Sequence, residues 1–370
     1  MRVLIAGGGT GGHVFPAIAI AEALRAQRPE AELLFVGAQG RMEMERVPAA
    51  GYRIEGLPMV GVPRRKTPVA LWRFLRQWHR CNRLALELVR KFRPDVVVGV
   101  GGYASVPACQ AAMKCHIPVV LQEQNGYAGK ANRLLSKRAA YVCVAYPHMD
   151  RYFPANKLAM TGNPVRSTFL SPLPDQQEAR RHFGLPSEAK VIFVVGGSLG
   201  AQSLCRATLE AFPALVASHN VAVMLQTGKT NYQDTNLKAR ALPHSDRLVV
   251  REFIVDMPMA YAAADIIVSR AGAIAISELA LVGKPVILVP SPNVADDHQT
   301  KNAKALAETD AVLWLPDAQV KDQLTALIEM LLEHPDRSTA LGQALKAYAK
   351  PEAARHIADK VLAAANSKNS

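Results

Sequence analysis

The chain has 370 residues, 49% of them hydrophobic and 20% charged, with a formal net charge of +13. That length and apolar content indicate a globular protein with room for two domains of ordinary size. No run of 18 apolar residues occurs, so no spanning helix is expected, and the N-terminus enters a strand rather than a signal-peptide pattern.

Residues 2–6 are an apolar run leading straight into Gly7-Gly8-Gly9-Thr10-Gly11-Gly12-His13, with helical periodicity over 16–27. A strand that passes through a glycine turn into a helix aims backbone N–H groups at the positive end of a helix dipole. That is a ready anion site, usually for phosphate. Gly7-x-Gly9-x-x-Gly12 matches the dinucleotide fingerprint, but the second strand, 32–36, leads into Gly37-Ala38-Gln39-Gly40 with no acid for a ribose. NAD and FAD are therefore disfavoured. His13 stands where an anion or sugar would approach, and the dipole disfavours its protonation. A neutral imidazole there can act as a general base; a structural role is the alternative.

Between residues 64 and 93, ten Lys or Arg face one acid, Glu87, so this segment carries +9 and leaves +4 for the rest. Thr67 and Pro68 suit the N-cap and first position of a helix. Leu71, Phe74, Leu75, Trp78, Ala85, Leu88, Val89 and Phe92 form a core-facing stripe, with Arg73, Arg76, Arg80 and Arg83 mainly off it and Trp72 beside them. A solvated basic face is the plain reading. The functional one is contact with anionic lipid, where each near-surface Lys or Arg contributes roughly 1 kcal/mol. Nucleic acid is the rival partner, but no zinc finger, RNP motif or helix-turn-helix signature supports it.

Strands are expected at 96–100, 119–121 and 141–144, with a helix over 105–115. Gly101-Gly102-Tyr103-Ala104-Ser105 ends one strand, and Glu123 and Asn125 follow another. Each turn alone is ordinary turn chemistry; their coincidence on one rim, beyond the carboxyl ends of strands, favours a site. Residues 162–166, with Pro172 and Pro174 after them, are the linker candidate.

The pattern then repeats, with strands expected at 191–195, 221–226, 248–251, 266–269, 286–289 and 311–315, and helices over 202–218, 273–282 and 299–309. Gly196-Gly197-Ser198-Leu199-Gly200-Ala201 is a second glycine turn between strand and helix. Gly228-Lys229-Thr230 is no P-loop, since Val223 stands where a glycine is required. In the segment from Arg270 to Glu278 another glycine turn opens a helix; Glu278 lies one turn in, where it could accept from ribose hydroxyls or merely complement the dipole. Asp296-Asp297-His298-Gln299 reads as an N-capped polar loop or a reader of sugar hydroxyls, and not as a metal site, since adjacent residues do not converge easily on one ion. The five cysteines lack metal or disulfide spacing and read as buried thiols of a reducing compartment. A final helix, 352–365, has no strand after it. Apolar strands alternating with helices define an α/β chain with two parallel sheets.

Taken together, 8–16, 101–105, 123–129, 162–166, 196–201, 270–273 with Ser277 and Glu278, and 297–302 resemble, in order, the motifs of glycosyltransferase family 28, the bacterial N-acetylglucosaminyltransferases of peptidoglycan synthesis. The resemblance implies a GT-B fold: two Rossmann-like domains with parallel sheets facing across a cleft. Residues 1–164 plus 350–366 would form the acceptor and membrane side, and 165–349 the donor side. It implies inverting transfer of GlcNAc from UDP-GlcNAc to the C4 hydroxyl of MurNAc in lipid I, giving lipid II. No tightly bound cofactor or metal is implied; divalent-cation need and oligomeric state stay open. The enzyme would be peripheral, on the cytoplasmic face of the cell membrane. A diacylglycerol glycosyltransferase of the same fold is the alternative.

Carried over by position, His13 would be the base, with Glu123 and Tyr103 on the acceptor side, and the lipid pyrophosphate would meet the first domain's glycine turns. Thr10, Gly11 and Gly12 would touch the donor and Asn125 a GlcNAc hydroxyl, while Arg166 and Ser198 would serve the diphosphate. Ile254 and Ile274 would flank the uracil, Glu278 would take the ribose, Gln299 the sugar, and Ala273 belongs with these donor contacts. Two departures stand out: Ala275, where the family often has Ser or Thr, and His298, where some members have Gln.

Overall fold

A computed structural model describes residues 1–59, 67–197, 200–294 and 297–367. Ser198, Asp296 and the basic residues Arg64, Arg65 and Lys66 lie outside the described residues. The chain divides into two compact units, Met1–Ser167 with Lys350–Ser370, and Thr168–Ala349.

The first unit is built on β1 (Arg2–Ala6), β2 (Glu32–Ala38), β3 (Arg53–Leu57), β4 (Val96–Gly99), β5 (Val119–Glu123), β6 (Tyr141–Val144) and β7 (Leu158–Met160). Their order is β3-β2-β1-β4-β5-β6-β7, parallel throughout. The second unit carries β8 (Lys190–Val195), β9 (Val221–Gln226), β10 (Leu248–Arg251), β11 (Ile266–Ser269), β12 (Val286–Leu288) and β13 (Leu313–Trp314), in the parallel order β10-β9-β8-β11-β12-β13. Successive strand side chains point to opposite faces, so β1 supplies Leu4 and Ala6 to one core and Val3 and Ile5 to the other. On the second face, Ile357, Ala358, Val361, Ala364 and Ala365 of the last helix, Ala353–Asn366, pack with Val14, Ile18 and Ile20 of the helix Gly11–Gln27.

Two strands were not expected. β3 (Arg-Ile-Glu-Gly-Leu) is an edge strand with mixed exposure, and β7 is three residues long. The expected strand 311–315 shrinks to Leu313–Trp314. The first helix starts at Gly11 rather than 16, because Pro16 is accommodated inside it.

In the helix Pro68–Phe92 the Thr67 hydroxyl accepts from the Ala70 N–H at 3.3 Å, as an N-cap should. The stripe expected to face the core does so only in its second half, where Cys81, Ala85 and Val89 are buried. Leu71 and Leu75 instead stand 45% and 46% exposed beside Val69 and Trp72, 61% and 60% exposed. The first turns thus carry an uncovered apolar strip, with the Arg76 guanidinium 5.7 Å from the centre of the Trp72 ring. Among the described residues no helix is long and apolar enough to cross a membrane.

Lys284 caps the helix Met257–Ala263, its ammonium donating to the carbonyls of Tyr261, Ala262 and Ala264 at 2.8, 2.8 and 2.5 Å. Burial pushes its pKa down to about 8, while Asp265 pulls it up. An unfolded lysine titrates near 10.4, so between about 8 and 10.4 the unfolded chain holds more protons and stability rises with pH. The contribution is complete above the unfolded value and lost as pH falls through the folded one. Urea unfolding at a series of pH values should show stability relative to Lys284→Met increasing through that window; a constant difference would refute the assignment.

Candidate active site

Both sheets change winding direction beside their first strand: β1 lies against β4, and β8 against β11. In doubly wound sheets ligands collect beyond the carboxyl ends of strands at such a switch point. In the first unit the turns flanking it are residues 7–12 and 101–105; in the second they are 196–197 with 200–201, and 270–273.

Gly101 and Gly102, at φ +90° and +72°, form a backbone seat for His13. A Cβ on Gly101 would lie 3.2 Å from the imidazole Cδ2 and Nε2, and one on Gly102 would lie 3.3 Å from Nδ1. Thr10 Oγ1 is 3.2 Å from His13 Nδ1. Tyr103 joins the group, since a Cβ on Gly9 would come within 3.9 Å of its ring. Thr10, His13 and Tyr103 are thereby gathered at one strand end, with Gly11 and Gly12 opening the helix behind them. Arg166 lies in the same unit, its guanidinium 4.8 Å from the centre of the Phe15 ring.

Glu123 was expected on a loop after its strand; it is instead the last residue of β5, 2% exposed. Its Oε2 accepts from the Gly129 N–H at 2.9 Å and the Asn132 amide at 3.0 Å, and its Oε1 from the Asn125 N–H at 3.2 Å and the Asn125 amide at 3.4 Å. Burial raises its pKa, and the N–H groups of Gly129 and Asn125 and the Asn132 and Asn125 amides lower it. The carboxylate therefore shapes the 124–129 loop and fixes Asn125. Gln122, Gln124 and Asn163 extend the network: Gln122 donates to Asn163 Oδ1 at 3.1 Å, Asn163 to the Gln124 carbonyl at 3.1 Å, and Gln124 to the Val100 carbonyl at 2.7 Å.

The first glycine turn also departs from the expected open phosphate cradle. The Gly7 N–H donates to the Val36 carbonyl at 3.2 Å, and the Gly9 N–H to both oxygens of Glu43 at 3.1 and 3.0 Å. An internal carboxylate thus takes the Gly9 N–H, two residues before the helix that opens at Gly11.

In the second unit the glycine turn is tighter still. Gly200, at φ +76°, passes so near Thr227 that a Cβ would lie 1.8 Å from its carbonyl oxygen. The Gln226 amide ties this turn to Ile254, donating to the Gly197 carbonyl at 3.3 Å and accepting from the Ile254 N–H at 2.8 Å. Ala273 and Ile274 open the helix Ala273–Val282, with Glu278 6% exposed one turn further on. Gln299 Oε1 accepts from the Ser291 N–H at 2.9 Å, which orients its amide.

One cluster carried no signal in sequence. Arg270 donates to the Val289 and Pro290 carbonyls, each at 3.1 Å, to Asp317 at 2.5 Å and to Ser203 at 2.9 Å; Ser203 in turn donates to Asp317 at 2.6 Å. This clamp joins the ends of β11 and β12 to the helix Gln202–Ser218. Its members are 67 and 47 residues from Arg270 along the chain, beyond any local pattern.

Comparison with known proteins matches residues 3–144 to the glycosyltransferase family 28 N-terminal domain and residues 191–359 to its C-terminal domain. A Bacteroides fragilis protein is 46% identical over 366 residues, covering 98% of this chain and 95% of its own length. A Porphyromonas gingivalis protein is 48% identical over 362 residues, covering 98% and 95%. Both are named UDP-N-acetylglucosamine--N-acetylmuramyl-(pentapeptide) pyrophosphoryl-undecaprenol N-acetylglucosamine transferase. Among solved structures, Acinetobacter baumannii MurG is similar at a TM-score of 0.73 and 30% identity, covering 98% of this chain and 99% of that one. The Neisseria meningitidis UDP-GlcNAc 2-epimerase, at a TM-score of 0.66 and 16% identity over 98% and 100%, shares the fold alone. With a family 28 domain matched in each half and near-full-length identity of this order, the chain belongs to glycosyltransferase family 28, among its MurG N-acetylglucosaminyltransferases, and has the GT-B fold.

Proposed function

We propose that the protein transfers GlcNAc from UDP-GlcNAc to the C4 hydroxyl of MurNAc in undecaprenyl-pyrophosphoryl-MurNAc-pentapeptide, giving lipid II and UDP with inversion at the anomeric carbon. The observation that carries this reading is the full-length kinship with enzymes of that name. The intact strand-end constellations of both units agree with it. The acceptor oxygen forms a bond to the anomeric carbon as the bond to the UDP oxygen breaks. His13, seated on Gly101 and Gly102, takes the hydroxyl proton. Inversion in a single displacement requires no enzymic nucleophile. Negative charge growing on the diphosphate meets backbone N–H groups at the helix starts after 200 and 272, and Arg166. Ile254 and Ile274 supply apolar walls for uracil, Glu278 accepts from the ribose, and Gln299 and Asn125 read the sugar. Turnover of UDP-GlcNAc with a lipid I analogue tests the reading; product from diacylglycerol and none from lipid I would overturn it.

A polyprenyl-linked acceptor requires approach to a bilayer. The exposed strip Val69, Leu71, Trp72 and Leu75, with Arg73, Arg76, Arg80 and Arg83 on the same helix, supports peripheral attachment to the cytoplasmic face. Charge attraction is screened over about 8 Å at physiological salt. Co-sedimentation with anionic vesicles should fall with added salt and on changing the four arginines to Gln. Equal binding to neutral vesicles, indifferent to those changes, would assign the lipid contact to another surface.

A further inference from the structure

The side chain of Glu43 is 1% exposed, yet it belongs to a short surface helix, Glu43–Ala49, and takes no part in the site as read from sequence. Its carboxylate reaches into the first glycine turn. Oε1 accepts from the Gly9 N–H at 3.1 Å and the Ala38 N–H at 2.9 Å, and Oε2 from the Gly9 N–H at 3.0 Å. Two glycines make room for it. A Cβ on Gly8 would lie 2.2 Å from Oε1, and one on Gly37 would lie 2.5 Å from Cγ. A buried carboxylate is costly unless hydrogen-bonded, and this one is held by main-chain N–H groups.

The turn so fixed carries the chemistry. Gly9 is followed by Thr10 and the helix that begins at Gly11, and a Cβ on Gly102, the glycine under His13, would lie 3.0 Å from the Gly8 carbonyl oxygen. We infer that Glu43 is a positioning residue for the transfer reaction: an internal carboxylate that ties the first glycine turn at Gly9 and so holds Thr10 and His13 in register with Gly101 and Gly102. This rests on the transfer reading above.

One variant tests it. Glu43→Gln keeps the shape but sets an amide N–H against the Gly9 N–H. With UDP-GlcNAc and a lipid I analogue, kcat should fall at least about tenfold, as a misplaced catalytic group allows, with the KM for UDP-GlcNAc and the calorimetric affinity for UDP unchanged. A lowered Tm with parental kcat marks a structural role only and overturns the positioning claim. An unaltered protein inactive on lipid I overturns the transfer reading instead.

Discussion

Replacing His13 by Ala is expected to lower turnover of UDP-GlcNAc with a lipid I analogue about 10²–10⁴-fold, the range of a positioned general base. UDP affinity should hardly move, because the imidazole lies on the backbone of Gly101 and Gly102 and is assigned to the acceptor proton rather than to the nucleotide. The seat makes the effect specific. Neither glycine could carry a Cβ without pressing on the ring, so the imidazole plane is set by sterics as well as by the 3.2 Å approach of Thr10 Oγ1. Gly102→Ala should therefore reproduce part of the loss without touching the base itself. Steady-state rates and calorimetry on the same samples separate the two parameters. A fall of less than about tenfold would return His13 to a structural role.

Glu278→Ala is the second large expectation, and it acts on binding. The residue is 6% exposed, one turn into a helix whose first residues Ala273 and Ile274 are assigned to the diphosphate and uracil side. A charged hydrogen bond is worth roughly 1.5–3 kcal/mol, so UDP and UDP-GlcNAc should both bind about 10–150-fold more weakly. Uridine should lose affinity by a similar factor, whereas inorganic pyrophosphate should not, which ties the effect to the ribose. Unchanged affinity for UDP would remove Glu278 from the site.

Much of this architecture is legible in sequence because parallel strands covered on both faces must be apolar throughout. Val96-Val97-Val98 and Val191-Ile192-Phe193-Val194-Val195 admit few other readings. Glycine turns mark strand ends for the same reason in both halves: positive φ at Gly101 or Gly200 is not easily met by another residue. What escapes is what depends on distant partners. Arg53-Ile54-Glu55-Gly56-Leu57 has no apolar run, and becomes β3 only because β2 offers an edge. Leu71 and Leu75 fit a helical stripe, but periodicity cannot say whether anything covers it. Glu43, in Arg-Met-Glu-Met-Glu, looks like any solvated helix acid; only the fold brings it to Gly9, 34 residues away. Asp317 is similarly silent until β13 delivers it to Arg270.

The path of the chain has a consequence for how the protein is made. The sheet of the first unit leaves the ribosome early, but Val3, Ile5, Val98 and Val120 share a core with Ile357 and Val361 of the last helix. Between them lies the whole of Thr168–Ala349, a contiguous compact unit. At roughly 5–20 residues per second, synthesis of that insert keeps the last helix off this face of the nascent first unit for on the order of ten seconds or more, with the helix Gly11–Gln27 covering only part of it. The order of completion is therefore inverted: the part begun first is finished last.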